Sequence, residues 1–135
     1  MKVITAMLAD AARVESGKLY IHGGGWDNIS TGSFPTLHPT LALVLTLQVE
    51  YDEALQEIPI SISLINEDGE ELGPVLEGSV TTGHPPGSKR GSPTLVHQAI
   101  TFNALRFEAA GGYTFVVKSK DTELQRVSFR LLKKR

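Results

Sequence analysis

Apolar and polar residues alternate along most of this chain, and that alternation sets the expected elements. From Thr40 to Tyr51, Leu41, Leu43, Leu45, Leu47, Val49 and Tyr51 fall on one face. Thr40, Ala42, Thr46, Gln48 and Glu50 fall on the other, with Val44 the exception. A period of two marks a half-buried strand, whereas a helix would scatter these side chains around its circumference. Ile58, Ile60, Ile62 and Leu64 repeat the pattern against Pro59, Ser61 and Ser63. Pro59 has no N–H to donate, which suits a strand start or an edge.

Asp68-Gly69, between Ile65 and Leu72, carries the positive-φ chemistry of a hairpin turn. The return strand, Leu72 to Val80, is interrupted by Gly73, Pro74 and Gly78, so a bend or bulge is expected. Residues 81 to 93 hold Gly83, Pro85, Pro86, Gly87, Gly91 and Pro93 and read as a loop. Val96, Ile100 and Phe102 mark a further strand. Tyr113, Phe115 and Val117 match Val127, Phe129 and Leu131 across a turn at Lys120-Asp121.

The N-terminal stretch fits two patterns. Ile4, Met7, Leu8 and Ala11 suit a helix, but the arms before and after Gly17-Lys18 suit a hairpin covered on both faces, and the strand reading is preferred. Eight or nine short strands separated by turns predict an all-β chain: one antiparallel β-sandwich over residues 1–135. Tyr113, which opens a strand just after Gly111-Gly112, resembles the tyrosine corner of immunoglobulin-like sandwiches.

Several segments resemble an uncharacterised bacterial family of small, leaderless proteins, a domain of unknown function. They are Met1-Lys2-Val3 with Leu8-Ala9-Asp10, Gly17-Lys18-Leu19, Gly23-Gly24-Gly25-Trp26, Phe34-Pro35 with His38-Pro39, and Leu105-x-Phe107 with Gly112-Tyr113-x-Phe115. The likeness spans nearly the whole chain. It implies an immunoglobulin-like or C2-like sandwich and brings no activity with it.

Composition narrows the chemistry. The 135 residues are 41% hydrophobic and 21% charged, with a formal net charge of -2, so no global field attracts nucleic acid or an anionic membrane. There is no cysteine, which removes disulfides, thiolate catalysis and zinc–thiolate sites. The N-terminal apolar run is broken early by Asp10 and Arg13 and does not read as a signal peptide, so a cytoplasmic protein is expected.

His22-Gly23-Gly24-Gly25 resembles the oxyanion loop of lipases, but no Gly-x-Ser-x-Gly elbow supplies a nucleophile. A phosphate cradle needs a helix start, and Trp26-Asp27-Asn28-Ile29 reads as a strand. Glycines supplying positive φ at a bulge are the preferred account. His22, His38, His84 and His97 lie far apart, without metal-ligand spacing. His38 reads as a capping or packing group in a crossover, and His97 as solvent-exposed.

The acidic run Glu67-Asp68-Gly69-Glu70-Glu71 could bind calcium only if Asp27, Asp52 and Glu53 converged on it; a solvated hairpin tip is preferred. Lys89-Arg90 and Lys133-Lys134-Arg135 are the only basic clusters, too small for a nucleic-acid footprint. Asn28-Ile29-Ser30 matches a glycosylation sequon by coincidence.

No nucleophile–base pair, ligand set or cofactor fingerprint emerges, so the expected function is a non-catalytic protein-interaction module without a cofactor. Its candidate partner-binding residues are Trp26, which follows a flexible turn, and His84, Lys89 and Arg90 in the 81–93 loop. The alternatives are a structural subunit of a homo-oligomer or larger bacterial assembly, built through paired strand edges, and a small-ligand binder or enzyme with a scattered site.

Overall fold

The computed structural model describes all 135 residues, Met1–Arg135. Nine strands follow in order: β1 (Lys2–Glu15), β2 (Lys18–Trp26), β3 (Asn28–Thr31), β4 (Thr36–Val49), β5 (Ile58–Asn66), β6 (Leu76–Val80), β7 (Thr94–Phe107), β8 (Gly111–Ser119) and β9 (Thr122–Lys133). They form two sheets, ordered β2-β1-β4-β7 and β3-β9-β8-β5-β6. The all-β expectation holds, and nine strands fall within the expected eight or nine. The antiparallel expectation needs one correction: β3 runs parallel to β9, with Asn28 opposite Arg130 and Thr31 opposite Lys133. Its cause is that the chain leaves the first sheet at Trp26, crosses at Asp27, and enters the second sheet at its edge.

The hairpin reading of the N-terminus is correct. Ser16 and Gly17 take φ of 52° and 73° between the paired residues Glu15 and Lys18. Positive φ at both central positions is the two-residue turn that matches strand twist. The three glycines lie in β2 at a bulge, where Leu8 pairs with Trp26 but Ala9 pairs with Gly24. Gly23 and Gly25 have φ of 59° and 88°, and a Cβ on Gly23 would come within 2.3 Å of an Asp10 carboxylate oxygen.

The main core lies between the sheets. Leu8, Leu41, Leu43 and Leu45 from the four-stranded sheet meet Ile62, Leu64, Phe115, Val117, Phe129 and Leu131 from the five-stranded one. Each such side chain contributes about 1.5–3 kcal/mol on burial. Phe107 stands edge-on to Tyr113 and Phe129, at 4.8 and 5.9 Å between ring centroids. The Tyr113 hydroxyl donates to the Ala109 carbonyl at 2.6 Å, tying the start of β8 to the loop before it.

The face of β4 expected to meet solvent is covered. Ala42 and Val44 are fully buried and Thr46 nearly so. The four-stranded sheet is curled into a half-barrel, and Met7, Ala12, Leu19 and Ile21 of the β1–β2 hairpin pack over Ala9, Ala42 and Val44. His97, expected in solvent, is half-buried on this face and hydrogen-bonds Thr46 Oγ1 through Nδ1 at 2.9 Å.

Three element boundaries also differ from expectation. Tyr51 leaves the strand for a short 3-10 turn, Tyr51–Glu53. His38 lies within β4 rather than in a crossover. The return strand is regular only from Leu76 to Val80, because Gly73 (φ 70°) and Pro74 turn the chain away after Leu72 donates to Leu64.

β7 changes phase along its length. Ile100 and Phe102 face the core, as do Leu105 and Phe107, three residues further on rather than two. Ala104, at φ 54°, makes the shift, and Pro39 lies across from it between the pairs Thr40–Asn103 and His38–Leu105. Left-handed backbone costs a non-glycine residue ~1–2 kcal/mol. Ala104→Gly is therefore expected to raise stability by up to about 1 kcal/mol, offset in part by the extra freedom of the unfolded chain. Ala104→Val is expected to lower it by more than that, since branching at Cβ deepens the clash. Urea titration checks both signs. Tyr113→Phe removes one hydrogen bond and is expected to cost ~1 kcal/mol, or about 4 °C in a thermal melt.

Candidate functional site

Strand edges carry unpaired N–H and C=O groups, so each sheet's outer strands are its reactive borders. The chain has four: β2 and β7 in one sheet, β3 and β6 in the other. Three are blunted. β3 has four residues, and β6 has five, including Glu77 and Gly78. β2 is distorted by its glycine bulge.

β7 is different. It runs for fourteen residues, pairs with β4 throughout from Thr94–Val49 to Phe107–Thr36, and has no strand hydrogen-bonded to its other side. From Thr94 to Leu105 it contains no Asp, Glu, Lys or Arg. Leu95 is 51% exposed on it.

A cavity opens beside the same strand. It holds about 190 Å³ and is lined chiefly by Leu64, Leu72, Leu76, Phe102, Leu105 and Phe115. The departure of the chain at Gly73-Pro74 creates it, because β6 does not extend far enough to close the flank. An apolar pocket beside an open edge is the arrangement used for strand addition: the backbone supplies hydrogen bonds and the pocket takes a side chain.

The loop at residues 81–93 joins β6 to β7 and is irregular, as expected. Lys89 and Arg90 are exposed in it, just ahead of the open edge. His84 stacks on Tyr51 at 4.0 Å between centroids with planes 23° apart. At the same end, the Met1 ammonium hydrogen-bonds Glu53 and holds its carboxyl below the ordinary value, against a smaller opposing effect of burial. The Glu50 backbone N–H, at 3.1 Å from Glu53 Oε1, adds to that lowering.

Trp26 does not join this group. It pairs with Leu8, itself opposite Leu43, and packs half-buried against the main core with its ring edge-on to His38 at 6.3 Å. Its indole N–H is buried without a partner. From Leu43 to Tyr51 is eight residues of chain, about 25 Å at ~3.3 Å per residue. The structure thus gathers His84, Lys89 and Arg90 near one end of β7 and sets Trp26 apart.

Other constellations stay dispersed. Glu67 accepts from the Gly112 backbone at 2.6 Å and lies 3.5 Å from Arg130. These three line an open polar trough of about 620 Å³ with Asp27, Thr114 and Ser128. Asp52 and Glu53 sit in the 3-10 turn at the other end, and no three His, Asp or Glu side chains converge on one point. Lys89-Arg90 and the Lys133–Arg135 cluster lie at opposite ends of the molecule, since β9 runs away from the Lys120-Asp121 turn. No helix is long and apolar enough to cross a membrane.

The β7 edge is the element missed in reading the sequence. Its signal was present as a run of twelve residues without charge in a chain where 21% are charged.

No curated protein matches the chain. Among solved structures, it is similar to the Pseudomonas fluorescens alkylpurine DNA glycosylase AlkC bound to DNA containing an abasic site analog, at 13% identity and a TM-score of 0.47. That likeness covers 94% of this chain but only 30% of the glycosylase chain. The match of a family model to residues 4–132 places the chain in DUF6941, a family of unknown function.

Proposed function

We propose that this chain is a non-catalytic protein-interaction module that binds through the open edge of β7. The observation that carries the reading is the contrast among its four borders: one is fourteen residues long and free of charge from Thr94 to Leu105, and the other three are short or carry a glycine bulge. Edge strands ordinarily carry charge, proline or a bulge to prevent pairing. Leaving one unguarded over twelve residues is intelligible where pairing is its task. The adjoining cavity and the exposed Lys89 and Arg90 extend the same surface.

The scaffold is read here as immunoglobulin-like or C2-like. The bond from Tyr113 to Ala109 supports it, since such a corner pins a strand start in immunoglobulin-like folds. The module is read as a bacterial, cytoplasmic protein that needs no cofactor and engages neither nucleic acid nor membrane. Its net charge of -2 and the separation of its basic clusters support that choice of partner.

A photocrosslinking amino acid at Leu95, on the open edge, tests the proposal in cells against the same group at Glu77 on the blunted β6 edge. Protein adducts at Leu95 and few at Glu77 are expected. Equal labelling at both positions, or none at Leu95, would refute the edge as the binding surface.

A further inference from the structure

We infer that the partner at the β7 edge is a second copy of this chain, paired antiparallel to the first so that the two four-stranded sheets become one. The inference rests on the edge-binding reading above and adds the identity of the occupant. Two-fold pairing brings the same surface against itself, so it demands a patch that is complementary to its own image.

β7 meets that demand by its charge pattern. It is uncharged from Thr94 to Leu105, the cations Lys89 and Arg90 precede it, and Arg106 near its end is followed by Glu108. A two-fold axis between antiparallel strands passes between a residue and its own image, and near-full overlap puts it at Thr101, with Leu95 opposite Phe107 and Thr94 opposite Glu108 of the second copy. Each Lys89-Arg90 loop then approaches Glu108 of the other molecule, and Arg106 falls opposite the uncharged Val96, so no like charges meet along the strand. Glu108 already pairs with Arg106 at 2.6 Å, but both side chains are exposed and accessible to a further cation.

Size sets the strength. Fourteen residues span about 45 Å, and a sheet is about 10 Å thick, so the edge offers roughly 450 Å² per copy. A standard stable interface uses about 800 Å² per partner. The dimer is therefore expected to be weak and reversible, present at high micromolar concentration and dissociated on dilution.

Thr101 is the residue to change. It is exposed on the face of β7 away from the main core, so substitution there leaves the fold intact, which an unchanged thermal melt confirms. In the pair it lies directly opposite its own image on the same face, with Cβ atoms ~4.5–5.5 Å apart. Sedimentation velocity over a range of concentrations should show a monomer–dimer equilibrium for the native chain. Thr101→Lys and Thr101→Glu alone should each weaken it at least about tenfold, by placing like charges together. An equimolar mixture of the two variants should restore the dimer.

A native chain that stays monomeric throughout, or a Thr101→Lys chain that dimerises as before, would overturn the inference. The Leu95 crosslink separates that failure from failure of the edge itself. Adducts at twice the chain's mass support self-pairing. Adducts only with other proteins, whose apolar side chain would occupy the cavity beside Phe102 and Leu105, leave the edge as a binding surface and remove the second copy as its occupant.

Discussion

Burial of β4 on both faces is the constraint from which the rest of the molecule follows. Every side chain from Leu41 to Leu47 is at most 4% exposed, Thr46 among them. A strand buried on both faces must lie inside a sheet that is itself covered twice. Its neighbours β1 and β7 supply the hydrogen bonds, the five-stranded sheet covers one face, and the β1–β2 hairpin covers the other. Only a strongly curled sheet lets a strand reach back over its own sheet, and the half-barrel is the result.

That curvature determines which borders remain open. To bend over Ala42 and Val44, β2 must depart from regular pairing, and the glycine bulge between Leu8 and Ala9 provides the departure. A Cβ on Gly24 would approach the Ile21 side chain to 2.7 Å, so a small residue is required where the hairpin folds back. The distortion that completes the second core also spoils β2 as a template for pairing. β7, on the other side of β4, experiences no such demand: despite the left-handed Ala104, it keeps one unbroken register with β4 from Thr94 to Phe107. The one unguarded edge is thus a consequence of how the core was closed.

Much of this was legible in the order of residues, and what was not has physical reasons. Alternation at Leu41–Val49, at Ile58–Leu64 and at Tyr113–Leu131 located the core faces, because one buried face imposes period two. The glycine- and proline-rich 81–93 stretch read correctly as a loop, since composition alone excludes a ladder there. The second face of β4 was hidden because Ala42 and Thr46 resemble half-exposed strand residues, and their cover comes from a hairpin some twenty residues or more earlier. The phase change in β7 left a visible trace, three residues between Phe102 and Leu105 rather than two, but nothing in Ala104 announces a left-handed backbone.

The candidate site was legible in its loop and not in its strand. Charged residues attract attention, and Lys89, Arg90 and His84 were found because loops bearing charge stand out from a neutral background. An edge strand declares itself by what it lacks, and that lack has meaning only once the sheet order shows which strand is left without a neighbour. The sequence from Thr94 to Leu105 would be ordinary in the middle of a sheet, where both sides are paired. On a border, the same neutral run means that no electrostatic penalty opposes a further strand, and the unpaired backbone groups favour one. The meaning of these residues therefore lies in topology, and topology here is fixed by the requirement that β4 be covered twice.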